Sequence, residues 1–231
     1  MRPEIERGIA RWLIRNTVVV LVTAACLFVS SGDPSWVMAW AFLGAVAASK
    51  VAIAIVVGRS NPNLLAERGG LPEDAKAWDK ALAPVMALYG PALGWIVAGL
   101  ERRLGSLSSS PPALEMAALA VAVLATLLTI WAMEANKFFM GFCRIATERG
   151  HRVASGGPYR YVRHPGYLGA LVFQMATPIA LGSLWSFIPA ALTISATIVR
   201  TALEDRTLQD ELQGYKDYAR QVRYRLLPGI W

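Results

Sequence analysis

Four predominantly apolar stretches of this chain, at roughly residues 12–31, 36–57, 81–100 and 113–133, each have the ~20-residue length needed to cross a hydrocarbon core of ~30 Å. A chain that must satisfy its backbone inside lipid can form only helices or a closed barrel, and runs of this length select helices. Two further apolar stretches, roughly 166–182 and 184–200, meet at Gly182-Ser183, a turn so tight that the hairpin need not reach the far side. The pattern predicts an all-α integral membrane protein of about six membrane helices, including a C-terminal helical hairpin, with a cytoplasmic C-terminal helix. Composition agrees, with 55% of residues hydrophobic, 17% charged and a positive mean hydropathy.

The first apolar stretch follows Arg2, Arg7, Arg11 and Arg15 as a signal peptide would. It is too long for a signal h-region and leads straight into the second, so it reads as a retained helix. Lys and Arg set the expected orientation. Four lie in the N-terminal segment, four in the 58–80 loop, six in 134–165 and six from Arg200 onward, whereas the opposite loops hold only Arg102 and Arg103. Both termini and the 134–165 segment are therefore expected in the cytoplasm, and a chain this short and rich in Ala and Arg reads as prokaryotic, in the inner (plasma) membrane. A formal charge of +7 then reflects topology and attraction to anionic membrane lipids. The basic residues are dispersed over several loops with no groove-reading module, so nucleic acid is not an expected partner.

Two parts are expected, residues 1–133 with four transmembrane helices and residues 134–231 with an interfacial segment, a hairpin and a tail. The loop between the second and third helices is turn-rich (Asn61-Pro, Gly69-Gly-Leu-Pro) and is read either as a cap over a site or as a solvated connection. Residues 134–165 mix Lys137, Arg144, Arg149 and Arg152 with Phe138, Phe139 and Phe142, a pattern that predicts a short amphipathic interfacial helix. Lys50 either snorkels to the interface or points into the bundle. Trp12, Trp36, Trp40, Trp78 and Trp95 fall near helix ends, where an aromatic belt is expected. Cys26 and Cys143 lie in different environments and predict no disulfide. Two histidines thirteen residues apart, without neighbouring ligands, predict no metal site.

One block carries chemistry: Gly157-Pro-Tyr-Arg-Tyr-Val-Arg-His-Pro-Gly-Tyr-Leu-Gly169, followed one apolar hairpin later by Glu204-Asp205. Ionisable groups at the mouth of a membrane segment are costly unless a partner or ligand uses them. The alternative for the acidic pair is the solvated start of a tail helix, where the helix dipole favours acids. Leu203, Leu208, Leu212, Tyr215 and Tyr218 form one apolar face of that tail.

With the Tyr215-x-x-Tyr218 pair and the ending Arg223-Tyr-Arg-Leu-Leu-Pro-Gly-Ile-Trp231, this block resembles the isoprenylcysteine carboxyl methyltransferase family, which is related to phospholipid N-methyltransferases. The resemblance implies S-adenosylmethionine as cofactor. It implies Tyr159, Arg163, His164, Pro165, Tyr167, Gly169, Glu204 and Asp205 as cofactor-binding residues, with Arg163 and Glu204 catalytic. Asp205 departs from the family's second Glu by one methylene. The residue types suit such a ligand: Arg163 and His164 its carboxylate, Glu204 its ammonium or ribose, and Tyr167 a stacking or hydrogen-bonding contact. The implied partner is a lipophilic or lipid-modified acceptor of a methyl group on a carboxylate or amine, arriving sideways from the bilayer. Sterol and steroid reductases, which use a nicotinamide dinucleotide, share a related Arg-His-Pro block and form the second reading. A membrane scaffold with a vestigial site is the third.

Overall fold

The computed structural model describes residues 2–70, 74–105 and 110–231. Among these, nine α-helices and no strand follow in order: α1 (Pro3–Ser31), α2 (Val37–Ser60), α3 (Pro62–Glu67), α4 (Ala77–Pro84), α5 (Gly90–Leu104), α6 (Pro112–Ala135), α7 (Pro165–Ala180), α8 (Phe187–Glu211) and α9 (Tyr215–Gln221). Among the described residues, five helices are long and apolar enough to cross a membrane: α1, α2, the run Ala77–Leu104, α6 and α8. The chain is an all-α integral membrane protein. In the third span, α4 passes into α5 through a π turn at Val85–Tyr89, where the Gly90 N–H reaches back to the Val85 carbonyl. Pro91 has no N–H to offer Ala87, so the ordinary helical ladder is already interrupted there.

The remaining expected membrane helix is α7, whose 16 residues measure only about 24 Å. Its hairpin with α8 still meets the far ends of its neighbours. Ser183 Oγ donates to Glu101 Oε2 near the end of α5, and Gly182, at φ +62°, lies against Glu115 in the first turn of α6. A Cβ on Gly182 would fall 2.6 Å from Glu115 Oε1, so backbone conformation and space both require glycine.

Helix α8 runs unbroken through Glu211, which places Glu204 and Asp205 within a helix and not at its start. It tolerates buried hydroxyls because Thr193, Thr197 and Thr201 each donate to the carbonyl four residues back, at 2.8, 2.8 and 2.7 Å.

Two expectations are corrected here. Residues 136–164 contain no α-helix, only 3₁₀ turns at Thr147–Arg149 and Gly157–Arg160. The segment is a strap whose polar groups bond outward instead of along a helix axis: Arg144 to Asp74, Arg149 to Glu67, and the Cys143 amide to Asp79. Trp12, Trp36 and Trp95 are buried in the bundle instead of forming a belt, because α3 covers Trp12 while Trp36 and Trp95 fill the core around Leu27, Phe42 and Leu181. Trp40 is exposed, as a belt residue would be.

Candidate functional site

The site forms where the strap turns into α7. His164 is the residue before the first turn of α7, and Pro165 sits at the first helical position, where its missing N–H costs nothing. The C-terminal tail then docks along the same backbone, with the Arg163 amide donating to Tyr224 O and the His164 amide to Arg225 O, both at 2.9 Å.

Asp205 lies at the centre of this junction, fully buried. Arg163 grips it with Nε on Oδ1 (2.8 Å) and Nη2 on Oδ2 (3.0 Å), while Nη1 of the same guanidinium donates to the carbonyls of Val222 and Arg223. Arg225 Nε and Gln209 Nε2 donate to Oδ2, both at 2.8 Å, and the Tyr215 hydroxyl donates to Oδ1 at 3.0 Å. His164 Nε2 lies 3.1 Å from Oδ1, the distance of an N–H donor to an ionised acceptor. Burial disfavours the charge on Arg163, but the bonds to Asp205 outweigh it and hold its pKa above the usual arginine value. Burial, then Asp205, pushes the Tyr215 phenol up, so it stays a neutral donor.

One residue earlier in the helix, the environment changes. Glu204 keeps 23% of its side chain exposed. Its Oε2 accepts one short bond from the Tyr167 hydroxyl (2.6 Å), and its Oε1 stands 3.9 Å from His164 Nδ1. The His164 and Tyr167 rings stack at 5.8 Å, and the Arg200 guanidinium lies over the Tyr167 ring, 5.3 Å from its centre. Glu204 is thus a carboxylate with spare acceptor capacity at the mouth of the hairpin, held in place by Tyr167.

A second buried ion pair supports this arrangement. Arg200 binds the fully buried Asp79 through Nε (2.5 Å) and Nη2 (2.8 Å), and Nη2 also donates to Gly141 O at 2.9 Å. The Cys143 amide donates to Asp79 Oδ2 at 2.6 Å, which seats the strap against the third span and α8. Burial, followed by Glu204 and Asp79, pushes the Cys143 thiol far above its ordinary range, which keeps it a neutral thiol.

The structure therefore gathers Arg163, His164, Tyr167, Glu204 and Asp205 into one cluster. It places three other expected ligand residues in the frame. Tyr159 is buried, its hydroxyl accepting from Asn136 at 3.2 Å and its carbonyl accepting from Tyr218 at 2.8 Å. Pro165 starts α7. Gly169 lies in the α6–α7 contact, where a Cβ would come 2.6 Å from Ala125 O. Sequence reading assigned no site role to Arg200, Asp79, Tyr215 or Arg225. Arg200 and Asp79 were legible as charges at the ends of apolar runs, but 121 positions separate them and no spacing rule connects them.

Comparison with known proteins narrows the class. A family model described as phospholipid methyltransferase (PEMT) matches residues 114–213, under half of the chain, from α6 through α8. The match includes the Glu204 cluster and leaves out α1–α5, Arg225 and the tail. The Delta(14)-sterol reductase TM7SF2 of Mus musculus is 30% identical over 95 residues, 39% of this chain. Those residues span only 22% of that relative's length.

Proposed function

We propose that this chain is an S-adenosylmethionine-dependent membrane methyltransferase of the isoprenylcysteine carboxyl methyltransferase type, acting on a carboxylate or amine of a lipophilic acceptor. The observation that carries this reading is the open Glu204 carboxylate, braced by Tyr167 beside His164, within the stretch matched by the phospholipid methyltransferase model. The donor set fits such a cofactor. Glu204 offers acceptors to an ammonium or ribose hydroxyls, and the Tyr167 and His164 rings offer a flat wall. When bound, S-adenosylmethionine supplies an electrophilic methyl group on a cationic sulfur.

Arg163 and Asp205 take a different part in this proposal from the one their motif implies. Nearly all the donors of Arg163 are committed to Asp205 and the tail carbonyls, so Arg163 positions the site and Glu204 touches the ligand. A carboxylate acceptor attacks without losing a proton. An amine acceptor must first give one up, and Glu204 is the group in reach of solvent that can take it. Alignment and exclusion of water supply the rest of the rate. An apolar crevice of about 150 Å³ between α2 and α6, lined by Phe42, Ala45, Ala48, Ala122, Leu127 and Phe173, suits the acceptor's tail. Phe173 lies on α7, six residues beyond Tyr167, so one helix lines both the crevice and the Glu204 site.

The cytoplasmic placement of the site and both termini belongs to this proposal and rests on the basic-residue asymmetry. Cysteines introduced at Arg152 and Arg103 should be labelled from opposite sides of sealed vesicles. The match to a sterol reductase keeps one second reading, hydride transfer from NADPH. Calorimetric titration of the purified protein separates the two: S-adenosylhomocysteine should bind and NADPH should not. Binding of NADPH alone would reverse the assignment.

A further inference from the structure

Three cations gather on the N-terminal side of the motif end without an acid among them. Lys50 lies about 15 Å along α2 from its end at Ser60, deep for a charge in a membrane helix. It shares the stripe of Val46, Ile53 and Val57, which faces the core, so it turns into the bundle. Arg68 follows α3, donates to Phe139 O at 2.9 Å and lies 5.4 Å from the centre of the Phe139 ring. Arg15 of α1 donates to the Arg68 carbonyl. The three are close enough to repel one another, and Arg68 also feels Arg200 and Tyr167 at the Glu204 site. Burial, then Arg15 and Arg200, pushes the Arg68 guanidinium down to about 10. None of the three has a carboxylate partner among the described residues, whereas Arg163, Arg200 and Arg225 all do.

Half-buried like charges without a counter-ion are a standing cost that a bound anion removes. We infer that Arg15, Lys50 and Arg68 form a binding site for the phosphate or carboxylate headgroup of an anionic lipid. A lipid is favoured over a free anion by what surrounds the cluster. Arg15 is on the exposed face of α1, and Ile14 and Val18 on the same helix, with Val51 next to Lys50 on α2, are half or more exposed, an apolar rim for an acyl chain. The site lies outside the residues matched by the family model, and it needs its anion whatever reaction Glu204 supports.

The test uses the full chain in neutral detergent, with no methyl donor present. Short-chain phosphatidylglycerol, phosphatidylcholine of equal chain length and inorganic phosphate are each titrated while the midpoint of thermal unfolding and the stoichiometry by native mass spectrometry are read. Phosphatidylglycerol should bind saturably and raise the midpoint, phosphatidylcholine should not, and inorganic phosphate should bind at least about tenfold more weakly. Lys50→Gln and Arg68→Gln should each weaken phosphatidylglycerol binding about tenfold or more, the scale of one charge-assisted bond. Arg59→Gln, an exposed basic position at the end of the same helix, should leave binding unchanged. Lys50→Gln should also raise the midpoint of the unliganded protein by removing repulsion, whereas a purely structural lysine would lower it. Undiminished lipid binding in both cluster variants overturns the inference. Equal loss in Arg59→Gln shows diffuse attraction instead of a site, and phosphate binding as tight as lipid removes the lipid.

Discussion

Asp205 and the Arg15–Lys50–Arg68 cluster are two charged regions at one end of the bundle, and they are built on opposite principles. Around Asp205, two arginines, a histidine, a tyrosine and a glutamine converge on one carboxylate until its lone pairs are filled. Around Lys50, cations converge on no described acid. A saturated buried charge can serve as a joint, since every partner it holds is fixed in place; an unbalanced one is unfinished and waits for something to complete it. Glu204 falls between these extremes, with one oxygen held by Tyr167 and the rest of its capacity open. The difference teaches which charges of a motif to assign to the frame and which to a ligand. On the proposed function, neighbouring residues in one helix turn receive opposite parts.

The largest effect expected from breaking this contrast comes at the joint. Asp205→Asn removes the charge that Arg163 and Arg225 share and should cost about 3–5 kcal/mol, the scale for one member of a buried pair removed alone. Thermal or denaturant unfolding in detergent reads it directly. Asp79→Asn should fall in the same range, because it strands Arg200. If Asp205→Asn unfolds at the parental midpoint, Asp205 is no joint.

Glu204→Gln should do the reverse, leaving unfolding within about 1 kcal/mol of the parent. It should weaken S-adenosylhomocysteine binding by about tenfold or more, the equivalent of ~1.5–3 kcal/mol for a bond to a charged group. A stability loss as large as that of Asp205→Asn would erase the distinction between the two acids. Tyr167→Phe is a gentler version. It removes one bond to Glu204, worth about 0.5–1.5 kcal/mol, and keeps the ring beneath Arg200, so binding should fall only several-fold.

Much of this was legible in the sequence because lipid simplifies the rules. Apolar runs located α1, α2, the third span Ala77–Leu104, α6 and the α7–α8 hairpin, and the Arg163-His164-Pro165 block with Glu204-Asp205 named the residues that converge. The strap was misread. Residues 136–164 have the composition of an amphipathic helix, but Asp74, Glu67 and Asp79, far away in sequence, claim their polar groups. The separation of Glu204 from Asp205 was also hidden, since two adjacent acids look alike until the tail delivers Tyr215 and Arg225 to one of them. Lys50 was readable only as two alternatives; the register of α2 sets it on the stripe of Val46, Ile53 and Val57.

The smallest expected effect tests the strap, which seats the two charged regions against each other. His151 stacks on Phe138 at 4.3 Å, and its Nδ1 accepts from the Ala146 amide at 3.4 Å, a bond that needs that nitrogen unprotonated. Burial, then the charges of Arg149 and Arg144, pushes its pKa down to about 4, with Glu148 opposing weakly. A depressed histidine pKa means that the unfolded chain takes up a proton before the folded one does. Its stabilising contribution is therefore complete above the unfolded value of about 6.5 and declines as pH falls toward 4. The parent's unfolding midpoint should drop across this window more steeply than that of His151→Gln, with the two curves running parallel above pH 7. Because the imidazole is only half-buried, solvent should keep the difference modest. Parallel curves throughout the window would mean that the strap does not depend on a neutral His151.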